Sequence, residues 1–420
     1  MIKFELLAPA GNELKMKTAF AYGADAVYLG IPDFSLRVRI NDFDLKGIKA
    51  AVKYAHELKK KVYVTINIFA HNEHLKKLPA YLKAIKAMKV DALIVSDPGI
   101  IHVIKKVWPS AEIHLSTQAN CTNLEAVKFW AKQGLKRIIL GREVTLKEIK
   151  EIHKAVPKIE LEYFVHGAMC MAYSGRCFLS KLMVDRSGNL GDCAQPCRWE
   201  YDVTLKTGNH DEELELVEEK HGTYLLNSKD LCLLKYLKDL AAAGITSFKI
   251  EGRAKSVYYQ ATVCGIYRRA LDTVNKKTTP AKLKTELNYL LAELETKLVH
   301  RGYTAGFLLG GKADQNIVNS HNTSAWEFCG QVLKTELTKD KKRRVYFQVH
   351  NTIKLGDTVE IIRPSYDIIS IKLANLWDAK KGTPLAEAHG GGGSQTAFIE
   401  LAKEVGNVPD LSVIRRINTK

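Results

Sequence analysis

Eight short apolar runs, most of them separated by amphipathic stretches, constrain this chain more than any other feature. They are Phe4–Ala8, Ala26–Gly30, Val62–Ile68, Ala92–Ser96, Ile113–Ser116, Arg137–Leu140, Leu161–Val165 and Phe248–Ile250. Their content of Val, Ile, Leu and Tyr is that of strands covered on both faces. Between them, Leu45–Leu58, Leu75–Met88 and Leu124–Gln133 carry apolar residues at i, i+3 and i+4, the period of a helix with one buried face. Strand–helix units repeated in this way predict an α/β chain built as a (β/α)8 TIM-like barrel. A doubly wound open sheet is the competing arrangement.

A barrel makes a demand that can be checked in the sequence, because its chemistry gathers where the strands end. Arg37 and Arg39 follow the second run, Asn67 closes the third and Gln118 follows the fifth. Arg142 comes after the sixth run, His166 after the seventh, and Glu251 with Arg253 after the eighth. A mouth lined by Arg with one Glu and one His suits a small carboxylate ligand. Glu251, His166, Arg142 and Arg253 are the candidate catalytic groups, Glu251 and His166 for proton handling. Arg37, Arg39, Asn67 and Gln118 are the candidate substrate-binding groups. The plain alternative is ordinary ion pairing, for example of Glu251 with Arg253 or Lys249.

After the seventh run the regularity breaks. Residues 167–223 form a long insertion, and loops of such length inside a compact domain are usually functional. Four of the chain's 8 cysteines lie there, spaced C-x6-C-x15-C-x3-C from Cys170 through Cys177 and Cys193 to Cys197. The paired C-x2-C knuckles of zinc ribbons are absent. The expectation is a [4Fe–4S] cluster held by Cys170, Cys177, Cys193 and Cys197, whose irons need four thiolate corners. Zinc on the same thiolates is the alternative, and a redox disulfide with a catalytic thiol comes third. Cys232 is expected to open a helix over 229–242, as a ligand, a redox partner or a packed thiol. Cys121, Cys264 and Cys329 read as buried small hydrophobes.

Two further helices are expected over 255–276 and 280–300. Short strands follow at 330–333, 344–349, 358–362, 368–373 and 396–399, the pattern of a small β-barrel. The resulting organisation is a TIM-like barrel over 1–305, with its cysteine-rich loop and trailing helices, and a C-terminal β-barrel domain over 306–420. No run approaches the ~18 apolar residues of a membrane span, and no leader precedes the first strand, so a cytoplasmic protein without a membrane partner is expected. A net charge of +17 fits a polyanionic partner such as tRNA, or simply lysine-rich solvated helix faces.

Several of these residues form strings that resemble the collagenase-like peptidase family, U-32. They are Glu162-x-Phe164-x-His166-Gly167-Ala168-Met169-Cys170-x6-Cys177-x-Leu179-Ser180, the opening Leu7-Ala8-Pro9-Ala10-Gly11-Asn12, Cys197-Arg198-Trp199, Asn227-Ser228-Lys229-Asp230-Leu231 and Lys249-Ile250-Glu251-Gly252-Arg253. Within that family the likeness is greatest to members that hydroxylate the wobble uridine of tRNA. That resemblance implies oxygen-independent formation of 5-hydroxyuridine with prephenate as co-substrate, and an iron–sulfur cluster on the cysteine block. Relatives with the same core act in anaerobic ubiquinone hydroxylation, and others carry a protease or collagenase label. For proteolysis the sequence offers neither a Gly-x-Ser-x-Gly elbow nor a His-Glu-x-x-His pair.

Overall fold

The computed structural model describes residues 4–36, 42–169, 177–199, 201, 204–206, 213–215, 228–276, 278–311, 314, 316, 324–390 and 395–417. Two compact units emerge. The first comprises Met1–Glu13, Asp25–Ala254 and Val299–Asn322; the second comprises Leu14–Ala24, Lys255–Leu298 and Thr323–Lys420. No described helix is long and apolar enough to cross a membrane.

All eight expected strands form in the first unit. They are β1 (Glu5–Pro9), β2 (Ala26–Gly30), β3 (Lys61–Ile66), β4 (Ala92–Val95), β5 (Ile113–Leu115), β6 (Arg137–Ile139), β7 (Glu160–Gly167) and β8 (Ile245–Ile250). Each pairs in parallel with the next, and β8 pairs with both β7 and β1, so the sheet closes. Closure excludes the open doubly wound sheet. The connecting helices start where side chains cap them. Asp44 accepts from Gly47 N, Asp97 from Ile100 N with Pro98 following, and Asn123 from Ala126 N. Thr145 and Glu148 form a reciprocal capping box.

Alternation along the strands fills the barrel unusually. In place of a purely aliphatic lowest layer there is an ion network. Arg137, 5% exposed, bonds to Glu5, to Glu160 Oε2 at 2.7 Å and to Glu162 Oε2 at 3.2 Å. Tyr63 and Ser247 donate to Glu5 at 2.6 and 2.9 Å. Burial alone would raise the Glu5 pKa. The Arg137 charge and the hydrogen bonds from Arg137, Tyr63 and Ser247 outweigh it and hold the carboxyl at about 2.

The long insertion is more structured than expected. It contains a short helix, Leu179–Val184, 3-10 turns at Gly188–Leu190 and Pro196–Arg198, and a ribbon of Thr204–Lys206 with Glu213–Glu215. The helix expected over 229–242 begins only at Leu237. Asp230–Cys232 is instead a strand, antiparallel to the end of β7, so Cys232 sits opposite His166 and opens no helix. Asp230 explains the difference. Its carboxylate bonds to the Arg301 guanidinium and accepts from Arg301 N at 3.2 Å, tying the segment down in extended form.

In the second unit, the helices Val257–Asn275 and Pro280–Lys297 accompany an antiparallel sheet. Its strands are β9 (Trp326–Leu337), β10 (Arg343–Val349), β11 (Thr358–Arg363), β12 (Asp367–Lys372), β13 (Thr396–Leu401) and β14 (Val413–Ile417). The order is β12-β11-β14-β9-β10-β13, followed by the short Trp377–Asp378. Among the described residues the two ends of this sheet do not pair. Strand β14, absent from the sequence expectation, lies inside the sheet between β11 and β9. Its Arg415 is fully buried and bonds to Glu293 Oε2 at 2.5 Å and, through Nε, to Glu360 Oε2 at 2.7 Å.

Candidate active site at the carboxyl ends of the strands

Above the ion network, a cavity of about 330 Å³ opens at the carboxyl ends of the strands. Strand periodicity delivers most of its walls. Tyr28 of β2, Thr65 of β3 with Asn67 just beyond its end, Ile94 of β4, Ile139 of β6, Phe164 of β7 and Lys249 of β8 face it. Ser116, Thr117 and Gln118 follow β5, and Arg142, Glu251 and Arg253 stand just beyond β6 and β8. The cysteine loop supplies the rest, with Cys177, Cys193, Cys197, Gln195 and Arg198 among its lining residues.

Of the twelve candidates from the sequence, eight meet here: Glu251, Arg142, Arg253, Asn67, Gln118, Cys177, Cys193 and Cys197. Arg37, Arg39 and Cys170 lie outside the described residues. His166 is described but does not line the cavity. Lys249 pairs with Phe164 across β7 and β8, yet the next pair is Ile250 with His166, which skips Val165. A bulge of this kind turns the following side chain to the other face. His166 is 2% exposed and packs its ring 5.5 Å from that of Tyr303, away from the other candidates that line the cavity. Its carbonyl accepts from Glu251 N at 2.8 Å, which helps to fix the start of the loop bearing Glu251. Gly167 follows with φ +111°, and a Cβ there would meet the Glu251 carbonyl oxygen at 2.5 Å. Only glycine fits where β7 leaves the barrel beside Glu251.

The cysteine loop is tied down by its own polar groups. Asn189 accepts from Cys177 N through Oδ1 at 3.1 Å, and its carbonyl accepts from Phe69 N at 3.3 Å. Ser180 Oγ accepts from Ala194 N at 2.9 Å. Two sulfurs receive backbone N–H groups, Cys177 Sγ from Leu179 at 3.4 Å and Cys193 Sγ from Gln195 at 3.3 Å. Donors of this kind stabilise thiolate and tune thiolate-bound metals. Among the described residues no group of three His, Cys, Asp or Glu side chains stands close enough to hold a metal ion by itself. The three described cysteines share a cavity, and the fourth candidate, Cys170, lies outside the described residues.

Sequence reasoning treated Lys249 only as a partner for Glu251; its ammonium instead bonds to Glu162 Oε1 at 2.7 Å. Burial pushes the Lys249 pKa down, against the upward pull of Glu162. Arg142 lies over the Phe164 ring, 4.1 Å from its centroid. Thr117 Oγ1 and Gln118 Oε1 are buried without a protein partner, an arrangement that a binding site tolerates because a ligand completes it. The signal for Lys249 was present in the alternation Ser247, Lys249, Glu251. A lysine in the middle of an apolar strand must point into the barrel or across a helix-covered face.

These features define a (β/α)8-barrel protein with a cysteine-bearing site at the carboxyl face of its strands. The chain belongs to peptidase family U32. Residues 11–318 match that family, and residues 324–413 match the peptidase family U32 C-terminal domain. It is 41% identical to tRNA hydroxylation protein P of Haemophilus influenzae, over 91% of this chain and 90% of that one. To the Escherichia coli protein of the same name it is 40% identical, over 93% of each. To the E. coli 23S rRNA 5-hydroxycytidine C2501 synthase it is 37% identical, over 74% of this chain and 46% of that one.

Proposed function

We propose that this protein hydroxylates C5 of the wobble uridine of tRNA, independently of oxygen, with prephenate as co-substrate and an iron–sulfur cluster on Cys170, Cys177, Cys193 and Cys197. One observation carries the reading. Three cysteines, two of them receiving N–H groups at sulfur, share a single cavity with Arg142, Arg253, Lys249 and Glu251. The names of the relatives supply the reaction class, base hydroxylation in RNA. A four-thiolate set fits a [4Fe–4S] cluster, and zinc is the alternative occupant. When bound, the cluster supplies one-electron chemistry beside the substrates. In this reading Arg142 and Arg253 hold carboxylates, Asn67 and Gln118 hydrogen-bond the substrate, and Glu251 exchanges a proton; all five line the cavity. Arg37 and Arg39 belong to the same proposal as further carboxylate contacts. The surplus of 17 positive charges suits tRNA phosphates.

Peptide hydrolysis is less well supported by the geometry. The cavity cysteines have no histidine beside them among the described lining residues, so no thiolate–imidazole pair is formed there.

Nucleoside mass spectrometry of bulk tRNA tests the proposal. The strains are a deletion of this gene and the same deletion carrying Cys193→Ser or Cys170→Ala. Loss of 5-hydroxyuridine in all three, with rescue by the wild-type gene, is the expected result. Unchanged nucleosides, in a strain with no second copy of the enzyme, would sink the tRNA reading.

A further inference from the structure

The least expected group at the site is Lys249. It lies in β8 between Ser247 and Glu251, turned inward, 3% exposed and at the floor of the cavity. An ammonium has three donors. Among the described residues one is used, by Glu162 Oε1 at 2.7 Å; the ammonium also stands 4.5 Å from the Tyr28 ring centroid and 5.3 Å from that of Phe164. The second oxygen of Glu162 is engaged by Arg137 at 3.2 Å and by Ser247 Oγ at 3.3 Å. The carboxylate is thus clamped from behind and holds the lysine against the cavity. Higher on the wall, the buried Thr117 Oγ1 and Gln118 Oε1 lack protein partners.

We propose that Lys249 contacts the small-molecule co-substrate directly, donating to a carboxylate oxygen at the cavity floor, with Glu162 as its positioning residue. A lysine amine fixed by one carboxylate has donors left for another anion. The aromatic walls of Tyr28 and Phe164 add a face for the apolar part of such a ligand. Within the tRNA-hydroxylase reading, on which the identity of the ligand rests, Lys249 is the deepest carboxylate contact, below Arg142 and Arg253. The ligand class is a small organic carboxylate.

The test uses anaerobically purified, cluster-loaded protein and reads two signals. One is the rise in thermal unfolding midpoint on adding prephenate, phenylpyruvate or malonate; the other is 5-hydroxyuridine formed in tRNA from the deletion strain. Lys249→Met leaves Glu162 short of a partner, so the double variant Lys249→Met with Glu162→Gln is compared beside it. The expected result is that the double variant folds, binds carboxylate roughly 10- to 100-fold more weakly, as for one lost charge-assisted contact, and makes little product. Glu162→Gln alone is expected to raise KM for the carboxylate more than it lowers kcat. Should the double variant not fold, Lys249→Gln, which can still donate to Glu162 but carries no charge, decides: weakened carboxylate binding supports the proposal and unchanged binding overturns it. A folded double variant with wild-type carboxylate stabilisation overturns the proposal, as does a wild-type protein that no carboxylate stabilises. Carboxylate binding that depends on Lys249 without any 5-hydroxyuridine would retire the tRNA reading and leave the lysine site standing.

Discussion

Arg137 in the barrel and Arg415 in the C-terminal unit are each buried and each held by carboxylates, but their surroundings differ. Arg415 sits among carboxylates, tyrosine hydroxyls and Lys297, which bonds to Glu360 at 3.1 Å. Glu293 and Glu360 take its guanidinium, the Tyr258 and Tyr366 hydroxyls lie 3.3 and 3.4 Å from Nη1, and Tyr366 donates to Glu293 at 2.9 Å. Arg137 holds three carboxylates, and the chain of contacts runs on through Glu162 to Lys249 and the cavity. A buried ion network is weak evidence of net stabilisation, since desolvation offsets much of the attraction. What distinguishes the two is where they lead, one to tyrosines and Lys297 and one to a ligand-sized space.

The largest expected effect comes from breaking the barrel network. Arg137→Met leaves the buried Glu5 and Glu162 carboxylates without their guanidinium and is expected to lower stability by on the order of 5 kcal/mol. It should also weaken carboxylate binding, because Glu162 no longer has a fixed position; urea unfolding and ligand-induced stabilisation measure the two effects. Arg415→Met is expected to cost about 3–5 kcal/mol with carboxylate binding by the folded fraction unchanged. Equal losses of binding in both variants would erase the distinction.

Acid loosens the barrel network more gently. The Glu5 carboxyl is held at about 2 against its ordinary 4.5. A depressed pKa gives stability that is fully present above pH 4.5 and is lost as the pH falls toward 2. The shift is equivalent to about 3 kcal/mol, and Glu5→Gln should flatten the unfolding midpoint across that window. The smallest effect is expected outside both networks. Thr145→Ala removes the cap of the helix Leu146–Ala155, a loss of about 1 kcal/mol, and should leave carboxylate binding untouched.

Much of the barrel was legible because its strands are buried on both faces, and an apolar run flanked by amphipathic stretches has few other uses. The site was legible where residues directly follow strands, as with Asn67, Gln118, Arg142 and Glu251. It was not legible at His166, because a single skipped residue in the β7–β8 register leaves no mark in composition. Strand β14 was missed for a related reason. Val-Ile-Arg-Arg-Ile reads as a charged edge until Glu293 and Glu360, 122 and 55 residues away, neutralise Arg415. Cys232 was misplaced because the Asp230–Arg301 contact that makes its segment a strand spans 71 residues. Local patterns encode the strands, whereas long-range partners decide which charges go inside.

The helix residues Leu14–Ala21 belong to the same unit as the C-terminal sheet. Gln331 donates to Thr18 at 3.1 Å, Tyr22 donates to the Ile362 carbonyl at 2.6 Å, and Val413 N donates back to Tyr22, 391 residues further along the chain. On the ribosome, at 5–20 residues per second, that last partner emerges about 20–80 s after the tyrosine. One of the earliest segments to be synthesised must therefore wait, with Tyr22 short of its partner at Val413, until the last strand of the sheet arrives. A nascent chain arrested short of Val413 would lack the partner that fixes Tyr22, so chaperone dependence should be concentrated in the final stretch of translation.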